Sequence, residues 1–256
     1  MFENEKTNLK IVGVIPARYA STRFPGKPLA DICGRPMIWW VYQQVKKVSD
    51  LKDVIIATDD DRIKLICLKY DIPVIITQNN HPNHISRVHE VSEHIKADFY
   101  ICVNGDEPLI ESDSIIRLLP DSIYEDEYLC CAMRVLKDPV ETIDFSNLKV
   151  ITDETGYCIY MSRAPIPYPC GTLSFHYNKY VGVECFNKKA LDFFINTPKG
   201  KIEKIEDIDH LRFLENRRKI QFKYVESESI SVDTPKDLEK IRSIIRTKIN
   251  NGEIDI

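Results

Sequence analysis

Three cations stand close together in residues 16–29, PARYASTRFPGKPL, directly after an apolar, β-branched run. Small residues separate Arg18, Arg23 and Lys27, so that backbone amides and basic side chains can both approach the oxygens of a phosphate chain. The segment matches neither a Walker A sequence nor a GxGxxG fingerprint. An ordinary basic surface loop is the plainer alternative, but the position after the first strand favours phosphate binding.

Two aspartates elsewhere in the chain stand where a divalent cation could bind. Asp106 lies in the sequence NGDEP, in which Gly105 permits a tight turn, and Asp233 lies in VDTPKDL. Hard cations such as Mg²⁺ prefer carboxylate oxygens as ligands. Both motifs also have a structural explanation, because Asp and Gly are common in turns and Thr234 followed by a proline is typical of a helix start. That explanation says little about Asp233, which we expect to end a strand.

Alternating strands and helices must position these residues. Three short runs are typical of buried parallel strands: residues 10–15, 53–58 and 98–103. Three segments have helical apolar spacing: residues 37–48, 61–70 and 86–95. This order predicts a three-layer α/β sandwich around a mostly parallel, Rossmann-like sheet. Ligands bind beyond the carboxyl ends of the strands in such sheets, which is where Pro16, Asp59 and Asp106 fall.

The second half of the chain has a different pattern. Strand-like segments dominate it: residues 128–135, 149–152, 158–162 and 180–186. A helix, a strand and a final helix from Pro235 follow these segments. Because no repeat, low-complexity tract or linker interrupts the sequence, we expect one domain over residues 1–256, with an inserted sub-lobe around residues 135–180.

Composition excludes several classes of function. The 256 residues carry a formal net charge of −4 and lack the basic stripe typical of a nucleic-acid surface. No apolar stretch approaches the length of a membrane span, the first ten residues are polar, and we therefore expect a cytoplasmic protein without a membrane partner. The eight cysteines include no CxxC pair, which favours reduced thiols, mostly in the core.

Six motifs in the same order make the chain resemble the 3-deoxy-manno-octulosonate (Kdo) cytidylyltransferases, or CMP-Kdo synthetases. They are IPARYASTRFPGKPL from Ile15, GRPMI from Gly34, ATDDDRI from Ala57, GDEPLI from Gly105, GYCIYMSRAPIP from Gly156 and VDTPKDLEKIR from Val232. The resemblance implies a nucleotidyltransferase domain in which a sugar hydroxyl attacks the α-phosphate of CTP. The products would be pyrophosphate and a CMP-linked acidic sugar for a surface glycan. It also implies Mg²⁺ as the cofactor and a homodimer.

The resemblance assigns individual residues to a nucleotide site and a metal site. The implied nucleotide contacts are Ala17, Arg18, Ser21, Arg23, Lys27, Thr58 and Asp59. Asp106 and Asp233 would hold Mg²⁺, and together with Arg18 and Lys27 they form the predicted catalytic set. Such a reaction needs positioning and charge neutralisation more than a covalent nucleophile. Mg²⁺ would also lower the pKa of the attacking hydroxyl, so that no histidine base is required.

The predicted sugar-contacting positions depart from the family pattern. The family's Ser-Gly-Thr-Asp/Glu-Arg is NHISR at residues 83–87, its Gln before GDEP is an Asn, its Lys-His-x-Gly-x-Tyr is KYVGVE at residues 179–184, and its Glu-Gln-Leu-Arg is DHLR at residues 209–212. The candidate sugar-binding residues are Arg87, Asn104, Arg163, Tyr180, Glu184, Asp209 and His210. The two arginines are candidate partners of the sugar carboxylate, while Glu184 and His210 would contact a substituent that differs from that of Kdo.

Several interpretations of these departures stay open. The acceptor is a modified Kdo or another small acid, or the pocket residues have drifted without effect on specificity. A non-catalytic nucleotide-binding relative would lack a metal aspartate or the loop cations, all of which are present. A glycosyltransferase would need a DxD-like metal motif, which only residues 59–61 imitate.

Three histidines, His81, His84 and His89, are close enough in sequence to suggest zinc binding. No cysteine or carboxylate with the usual ligand spacing accompanies them. We therefore expect a solvent-exposed loop and helix start at this point.

Overall fold

A nine-stranded sheet forms the centre of the computed structural model, which describes residues 9–21, 24–227 and 229–254. The strands are β1 (Ile11–Ala17), β2 (Asp31–Ile32), β3 (Arg35–Pro36), β4 (Asp53–Thr58), β5 (Val74–Ile76), β6 (Phe99–Val103), β7 (Leu129–Val135), β8 (Lys149–Thr152), β9 (Cys158–Ser162), β10 (Asn178–Asn187) and β11 (Gln221–Tyr224). The α-helices are α1 (Met37–Lys46), α2 (Asp61–Lys69), α3 (His84–His94), α4 (Ser112–Ile116), α5 (Pro139–Ile143), α6 (Lys188–Asn196), α7 (Lys201–Glu206), α8 (Leu211–Glu215) and α9 (Pro235–Asn250). Within these ranges no helix combines the length and apolar character that a membrane crossing requires.

The main path of the sheet has the order β11-β7-β10-β6-β1-β4-β5. β1 runs parallel to β4 and β6, β4 runs parallel to β5, and β7 runs parallel to β11. The mostly parallel sheet expected from the sequence is therefore confirmed. β10 is the exception, because it lies antiparallel to both of its neighbours, β6 and β7.

Both faces of the sheet are covered, which confirms the three-layer arrangement. Successive side chains of a strand point to opposite faces. Accordingly, Ile15 of β1 packs in the same cluster as Val41 of α1, whereas Val14 packs in a second cluster with Val88 of α3 and Phe194 of α6. The helices that follow the first strands are thus divided between the two faces of the sheet.

Several element boundaries differ by one or two residues from the sequence-based expectation, and two of these differences lie close to the predicted site. β1 continues two residues further than expected, to Ala17, because that residue stays in register with Thr58 of β4. Helix α3 begins at His84 rather than at residue 86, because the side-chain oxygen of Asn83 accepts a 2.9 Å hydrogen bond from the backbone N–H of Ser86. An asparagine in this position is a typical helix cap.

Helix α9 begins where it was predicted, with Thr234 as its N-cap. The hydroxyl of Thr234 accepts a hydrogen bond from the backbone N–H of Asp237, whose carboxylate accepts one from the backbone N–H of Thr234. The prediction that Asp233 ends a strand is wrong, since residues 229–233 belong to no strand. This segment is instead fixed by a 2.9 Å hydrogen bond from the backbone N–H of Val232 to the backbone oxygen of Asp106.

The segment between β7 and β10 forms an antiparallel extension of the sheet. β8 pairs with β9 and with the first two residues of β10. Helix α5 precedes this pair, and residues 163–177 connect β9 to β10 without further regular structure. Two expectations stay predictions: that residues 1–256 form a single domain, and that residues 135–180 form a sub-lobe within it.

Candidate active site

The carboxyl ends of β1 and β6 lie directly against each other. A Cβ atom added at Gly105 would stand 2.8 Å from the backbone oxygen of Pro16, which is closer than a side chain tolerates. Glycine is therefore needed at this position because of the close backbone approach. The hydrogen bond from Val232 to Asp106 brings the segment before α9 to the same place. Three segments that are distant in sequence thus meet at one edge of the sheet.

Lys27 contacts both predicted metal ligands. Its Nζ lies 2.6 Å from Oδ2 of Asp106 and 3.8 Å from Oδ1 of Asp233. The three side chains are 14%, 20% and 31% exposed, respectively, so the group is shielded but not closed off from solvent. Oδ1 of Asp106 is buried and accepts no hydrogen bond from any described residue. Two carboxylates, one of them with an unsatisfied oxygen, are a donor set that fits Mg²⁺.

The loop after β1 folds back on itself. The backbone N–H of Gly26 donates a 2.9 Å hydrogen bond to the backbone oxygen of Tyr19. Gly26 has a φ of 71°, and a Cβ atom there would lie 3.1 Å from the Tyr19 ring, so glycine suits this position. The guanidinium of Arg62 lies 3.2 Å from the centre of the same ring. Arg18 is exposed at the beginning of the loop, whereas Arg23 lies outside the described residues.

The other predicted nucleotide-binding residues lie at the same edge. Ala17 and Thr58 are buried partners at the ends of β1 and β4. The hydroxyl of Ser21 accepts a 3.3 Å hydrogen bond from the backbone N–H of Phe24. Asp59 directly follows β4 and accepts a hydrogen bond from Arg87. The structure thus brings these residues near the strand ends, and their contact with a nucleotide stays a prediction.

Arg87 connects the predicted nucleotide and sugar sites. It is only 3% exposed, and its guanidinium donates hydrogen bonds to Oδ2 of Asp59 at 2.9 Å and to the hydroxyl of Thr77 at 2.5 Å. These bonds orient the Asp59 carboxylate at the end of β4. A direct contact between Arg87 and a sugar carboxylate stays a prediction.

Glu184 is the centre of a group at the predicted sugar site, which we call the Glu184 cluster: buried Glu184 and His210 with half-buried His84 and Tyr180. Glu184 is 1% exposed, His84 Nε2 lies 3.1 and 3.2 Å from its two oxygens, and His210 Nε2 lies 2.8 Å from Oε1. The Tyr180 hydroxyl donates to the same Oε1. Burial alone would raise the pKa of Glu184, but the facing histidines outweigh it and hold that pKa well below its usual range.

His84 shows the converse effect. Burial by itself would lower the pKa of its imidazole, but the charge and hydrogen bonding of Glu184 outweigh burial and raise that pKa. His84 and Glu184 therefore stabilise each other's charged form.

Two further sugar-site candidates, Asn104 and Asp209, form hydrogen bonds between the elements that surround the Glu184 cluster. The backbone N–H of Asn104 donates a 2.9 Å hydrogen bond to the backbone oxygen of Gly182, and its side chain fills the space where a Cβ of Gly182 would stand. Asp209 accepts a 2.9 Å hydrogen bond from the side-chain amide of Asn83. The carboxyl end of β6, the middle of β10 and the start of α3 are thus held close to the Glu184 cluster.

Arg163 has a different environment from the other candidates. Its guanidinium donates hydrogen bonds to the backbone oxygens of Phe145, Glu206 and Asp207, at 3.2, 2.7 and 2.8 Å. Among the described residues, its hydrogen bonds include none to another predicted site residue. A role for Arg163 in binding a sugar carboxylate stays a prediction.

The loop and helix start expected around the three neighbouring histidines are present, since α3 begins at His84, but the histidine side chains are half-buried rather than solvent-exposed. The side chains of His81, His84 and His89 are only 12%, 24% and 20% exposed. His81 contacts Glu90, and His89 lies 2.9 Å from Asp192. Sequence spacing could not reveal these carboxylates, because two of the three partners lie about 100 residues away in the chain.

Glu107 was also missed, although it stands in the same motif as Asp106. It is 5% exposed, and its carboxylate accepts a 2.5 Å hydrogen bond from the hydroxyl of Ser229. Burial, with a smaller contribution from Asp106, raises the pKa of Glu107 to about 7. The only signal for Glu107 in the sequence is its position next to Asp106 in the NGDEP motif.

A mostly parallel sheet with a cationic loop and paired aspartates gathered at one edge is the arrangement of a nucleotidyltransferase. The family model described as Cytidylyltransferase matches residues 12–220, and the chain belongs to this family. The chain is 40% identical to the 3-deoxy-manno-octulosonate cytidylyltransferase of Photobacterium profundum over 245 residues, 91% of this chain and 98% of that relative. It is 39% identical to the protein of the same name from Fusobacterium nucleatum over 252 residues, 96% of this chain and all of that relative.

A solved structure supports the same relationship. The structure of a CMP:2-keto-3-deoxy-manno-octonic acid synthetase complexed with CTP matches with a TM-score of 0.87 and 32% sequence identity. The match covers 93% of this chain and 99% of that one. The family and the enzyme class expected from the motifs are therefore confirmed.

Proposed function

We propose that this chain transfers the CMP moiety of CTP to a Kdo-like acidic sugar and releases pyrophosphate. The observation that carries this proposal is the contact of Lys27 with both Asp106 and Asp233, at the edge where the strand ends meet. Relatives named 3-deoxy-manno-octulosonate cytidylyltransferase match the chain over nearly its full length, which supports CTP and a Kdo-like acid as the two substrates.

The reaction is a direct substitution at phosphorus. The oxygen of a sugar hydroxyl bonds to the α-phosphorus of CTP, the bond from that phosphorus to the β-phosphate breaks, and the hydroxyl proton passes to solvent. Arg18 and Lys27 would neutralise the negative charge of the triphosphate and of the leaving pyrophosphate. Thr58 and Asp59 would lie beside the nucleoside. The protein therefore contributes positioning and charge rather than a covalent nucleophile.

Asp106 and Asp233 would hold Mg²⁺. The unsatisfied oxygen of Asp106 and the nearness of a second carboxylate suit a cation that is commonly bound by one or two carboxylates together with substrate phosphates. When bound, Mg²⁺ neutralises phosphate charge and lowers the pKa of a coordinated hydroxyl.

The acceptor is the second half of the proposal. The Glu184 cluster offers a carboxylate, two imidazoles and a phenol where the family pattern differs, which supports an acid with a modified substituent. Kdo itself is the alternative, supported by the names of the relatives. A cytoplasmic homodimer also stays a proposal, and sedimentation of the purified protein tests its oligomeric state.

Pyrophosphate release tests the nucleotide and metal assignments. The purified enzyme is incubated with Mg²⁺, each of the four nucleoside triphosphates, and a panel of 2-keto acids that includes Kdo. We expect release with CTP only, and a loss of about 100-fold or more in Asp106→Asn and Asp233→Asn because charge neutralisation is removed. Asp61→Asn is the matched control, since Asp61 is exposed in the first turn of α2.

The same assay separates the competing functions. Turnover of another acid in preference to Kdo supports a modified acceptor, whereas normal turnover of Kdo means that the altered pocket residues are neutral. CTP binding without pyrophosphate release from any acid would contradict the transferase proposal and indicate a nucleotide-binding relative.

A further inference from the structure

The Glu184 cluster places three potential metal ligands at suitable distances from one another. His84 Nε2 lies 3.1 Å from Glu184 Oε2, and His210 Nε2 lies 2.8 Å from Glu184 Oε1. One ligand atom from each of these residues can be chosen so that all three lie within 4.8 Å of one another. In a tetrahedral zinc site, bonds of about 2.0–2.2 Å place neighbouring ligand atoms about 3.3 Å apart. Little movement would be needed to bring the three groups around one ion.

His210 supplies a second, independent observation. Its side chain is 3% exposed, and its Nε2 is buried without a hydrogen-bond partner among the described residues. The carboxylate oxygen at 2.8 Å is close but is not aligned with the ring as a hydrogen-bond partner. His210 and Glu184 therefore form a close but poorly aligned ion pair, and a cation bound between them would give each group a directed bond.

The three groups are held by separate, well-packed elements. Glu184 lies in the middle of β10, His84 is the first residue of α3, and His210 directly precedes α8. Tyr180 donates a hydrogen bond to the Glu184 carboxylate, which is the kind of outer contact that orients a metal ligand. His84 is the most exposed of the three, so an ion would approach from its side.

A second group, between α3 and α6, has a similar composition but a different environment: His89, Glu93 and Asp192. The ammonium of Lys188 contacts both carboxylates and lies 3.2 Å from His89 Nε2. Its two carboxylates are 51% and 44% exposed and already contact Lys188, so this group is a weaker candidate for a metal ion than the Glu184 cluster. It provides a matched control for the Glu184 cluster within the same protein.

We propose that His84, Glu184 and His210 form a binding site for a divalent transition-metal ion such as Zn²⁺, separate from the Mg²⁺ site at the paired aspartates. Two imidazoles and one carboxylate are ligands that Zn²⁺ accepts, and a tetrahedral ion would keep one position for an oxygen donor. The nearby contacts of Asn104 and Asp209 place this site among the predicted sugar-binding residues. The donor would be a carboxylate or hydroxyl of the acceptor, a role that rests on the proposed function, whereas metal binding itself does not.

The competing explanation is a metal-free ion pair, in which protonated histidines neutralise Glu184. Metal titration separates the two explanations without any assay of activity. The full-length protein is stripped with a chelator and titrated with Zn²⁺ by calorimetry and with Co²⁺ by visible absorption. Excess Mg²⁺ is present throughout to occupy the oxygen-only aspartate pair.

We expect one Zn²⁺ per chain, and Co²⁺ bands typical of tetrahedral coordination with nitrogen ligands. His84→Gln and Glu184→Gln should each weaken binding by at least about tenfold, since even outer-contact changes cost 10- to 100-fold. His89→Gln should bind like the wild type, because His89 contacts Asp192 and Lys188 and is not a member of the Glu184 cluster. If circular dichroism shows that Glu184→Gln does not fold, the Zn²⁺ affinity of His84→Gln and the Co²⁺ spectrum of the wild type test the proposal instead.

Three outcomes would overturn the proposal. The first is the absence of saturable Zn²⁺ or Co²⁺ binding by the wild type. The second is unchanged affinity in folded His84→Gln, and the third is an equal loss in His89→Gln. Loss of CTP turnover with Zn²⁺ binding intact would instead count against the proposed function and leave the metal site standing.

Discussion

Lys27 carries one positive charge and contacts two carboxylates, so this group as a whole holds excess negative charge before any substrate binds. A divalent cation bound at the aspartates, as proposed, would reverse that balance and leave positive charge for the triphosphate. The ammonium is mobile on a flexible stem, whereas the carboxylates are fixed to the carboxyl end of β6 and to the segment before α9. We infer that Lys27 neutralises the aspartates in the free protein and the phosphates in the complex.

Replacing Lys27 with Met tests this double role. We expect kcat/KM for CTP to fall about 100- to 1,000-fold, because a preorganised positive charge near the phosphates is lost. The facing carboxylates then repel each other, so Mg²⁺ should raise the melting temperature of Lys27→Met more than that of the wild type. Lys52→Met, at an exposed lysine before β4, is the control. Near-normal kcat/KM in Lys27→Met would contradict the assigned role.

The two halves of the site differ in how far the sequence could predict them. Lys27 and Asp106 lie 79 positions apart, and each belongs to a motif with its own local signal, namely a cationic loop or a turn after a strand. His84 and Glu184 lie 100 positions apart, and nothing local to either residue indicates a partner. Their contact depends on the antiparallel position of β10 beside β6, which only the folded sheet determines.

Among the elements, β1 and β6 form the closest approach of the site. β6 ends at Val103, and Gly105 then passes the backbone oxygen of Pro16 so closely that a methyl group would overlap it. Backbone atoms move only with the strands that carry them, and both strands lie in the middle of the sheet. The position of Asp106 therefore depends on a glycine one residue before it.

Gly105→Ala should consequently affect both stability and turnover. We expect a loss of about 1–3 kcal/mol in the free energy of unfolding, the usual cost of overpacking, measured by urea denaturation. Pyrophosphate release should fall as Asp106 is displaced. Gly171→Ala is the matched control, because no atom lies within 4 Å of the added methyl group and the glycine needs no left-handed backbone. Equal effects in both variants would contradict the close-approach argument.

Helices α7 and α8 are joined by a buried ion pair. Arg212 donates hydrogen bonds of 2.9 and 2.6 Å to the two oxygens of Glu203, which is 1% exposed, and its guanidinium also lies 3.8 Å from the centre of the Phe194 ring. The arginine in the stretch DHLR therefore has a structural role. Removing one partner would leave the other charge buried without compensation.

Glu203→Ala should destabilise the protein by about 3–5 kcal/mol, because Arg212 would lose its buried carboxylate. Urea denaturation followed by circular dichroism measures this loss. Glu239→Ala removes an exposed ion pair with Arg242 and should cost less than about 1 kcal/mol. A loss as small as that of the control would mean that Arg212 is held by its other contacts.

At the scale of the whole molecule, local sequence patterns predicted the three-layer α/β arrangement, but they could not predict which distant strands pair with each other. The bounds of β8 and β9 were predicted to the residue, because alternating side chains and turns mark short strands. The insertion of β10 between β6 and β7 was not predicted, since the register of a strand depends on partners far away in the chain. The strand wrongly predicted before Asp233 has the same explanation. This segment is held by one backbone hydrogen bond to a distant residue, Asp106, and not by the series of bonds that defines a strand.

The burial of the cysteines shows how closely the core is packed in different parts of the chain. Five of the eight are buried, at Cys67, Cys102, Cys130, Cys131 and Cys185. Burial raises the pKa of Cys67 and Cys130 to about 11, and it raises the pKa of Cys102, Cys131 and Cys185 well above the usual range. A thiol reacts as its thiolate, so these groups should be inert in the folded protein.

The folded protein should therefore show one rapidly reacting thiol toward a disulfide reagent. Cys170 is exposed, whereas Cys33 and Cys158 are half-buried, and burial raises the pKa of Cys158 to about 12. We expect Cys170→Ser to remove the rapid phase, Cys33 to account for a slower one, and all eight thiols to react in guanidinium chloride. Each buried thiol should become reactive only when the sheet opens, so its rate measures opening of the core. Rapid reaction of several thiols in the native protein would show that the two packed faces are not formed in solution as described.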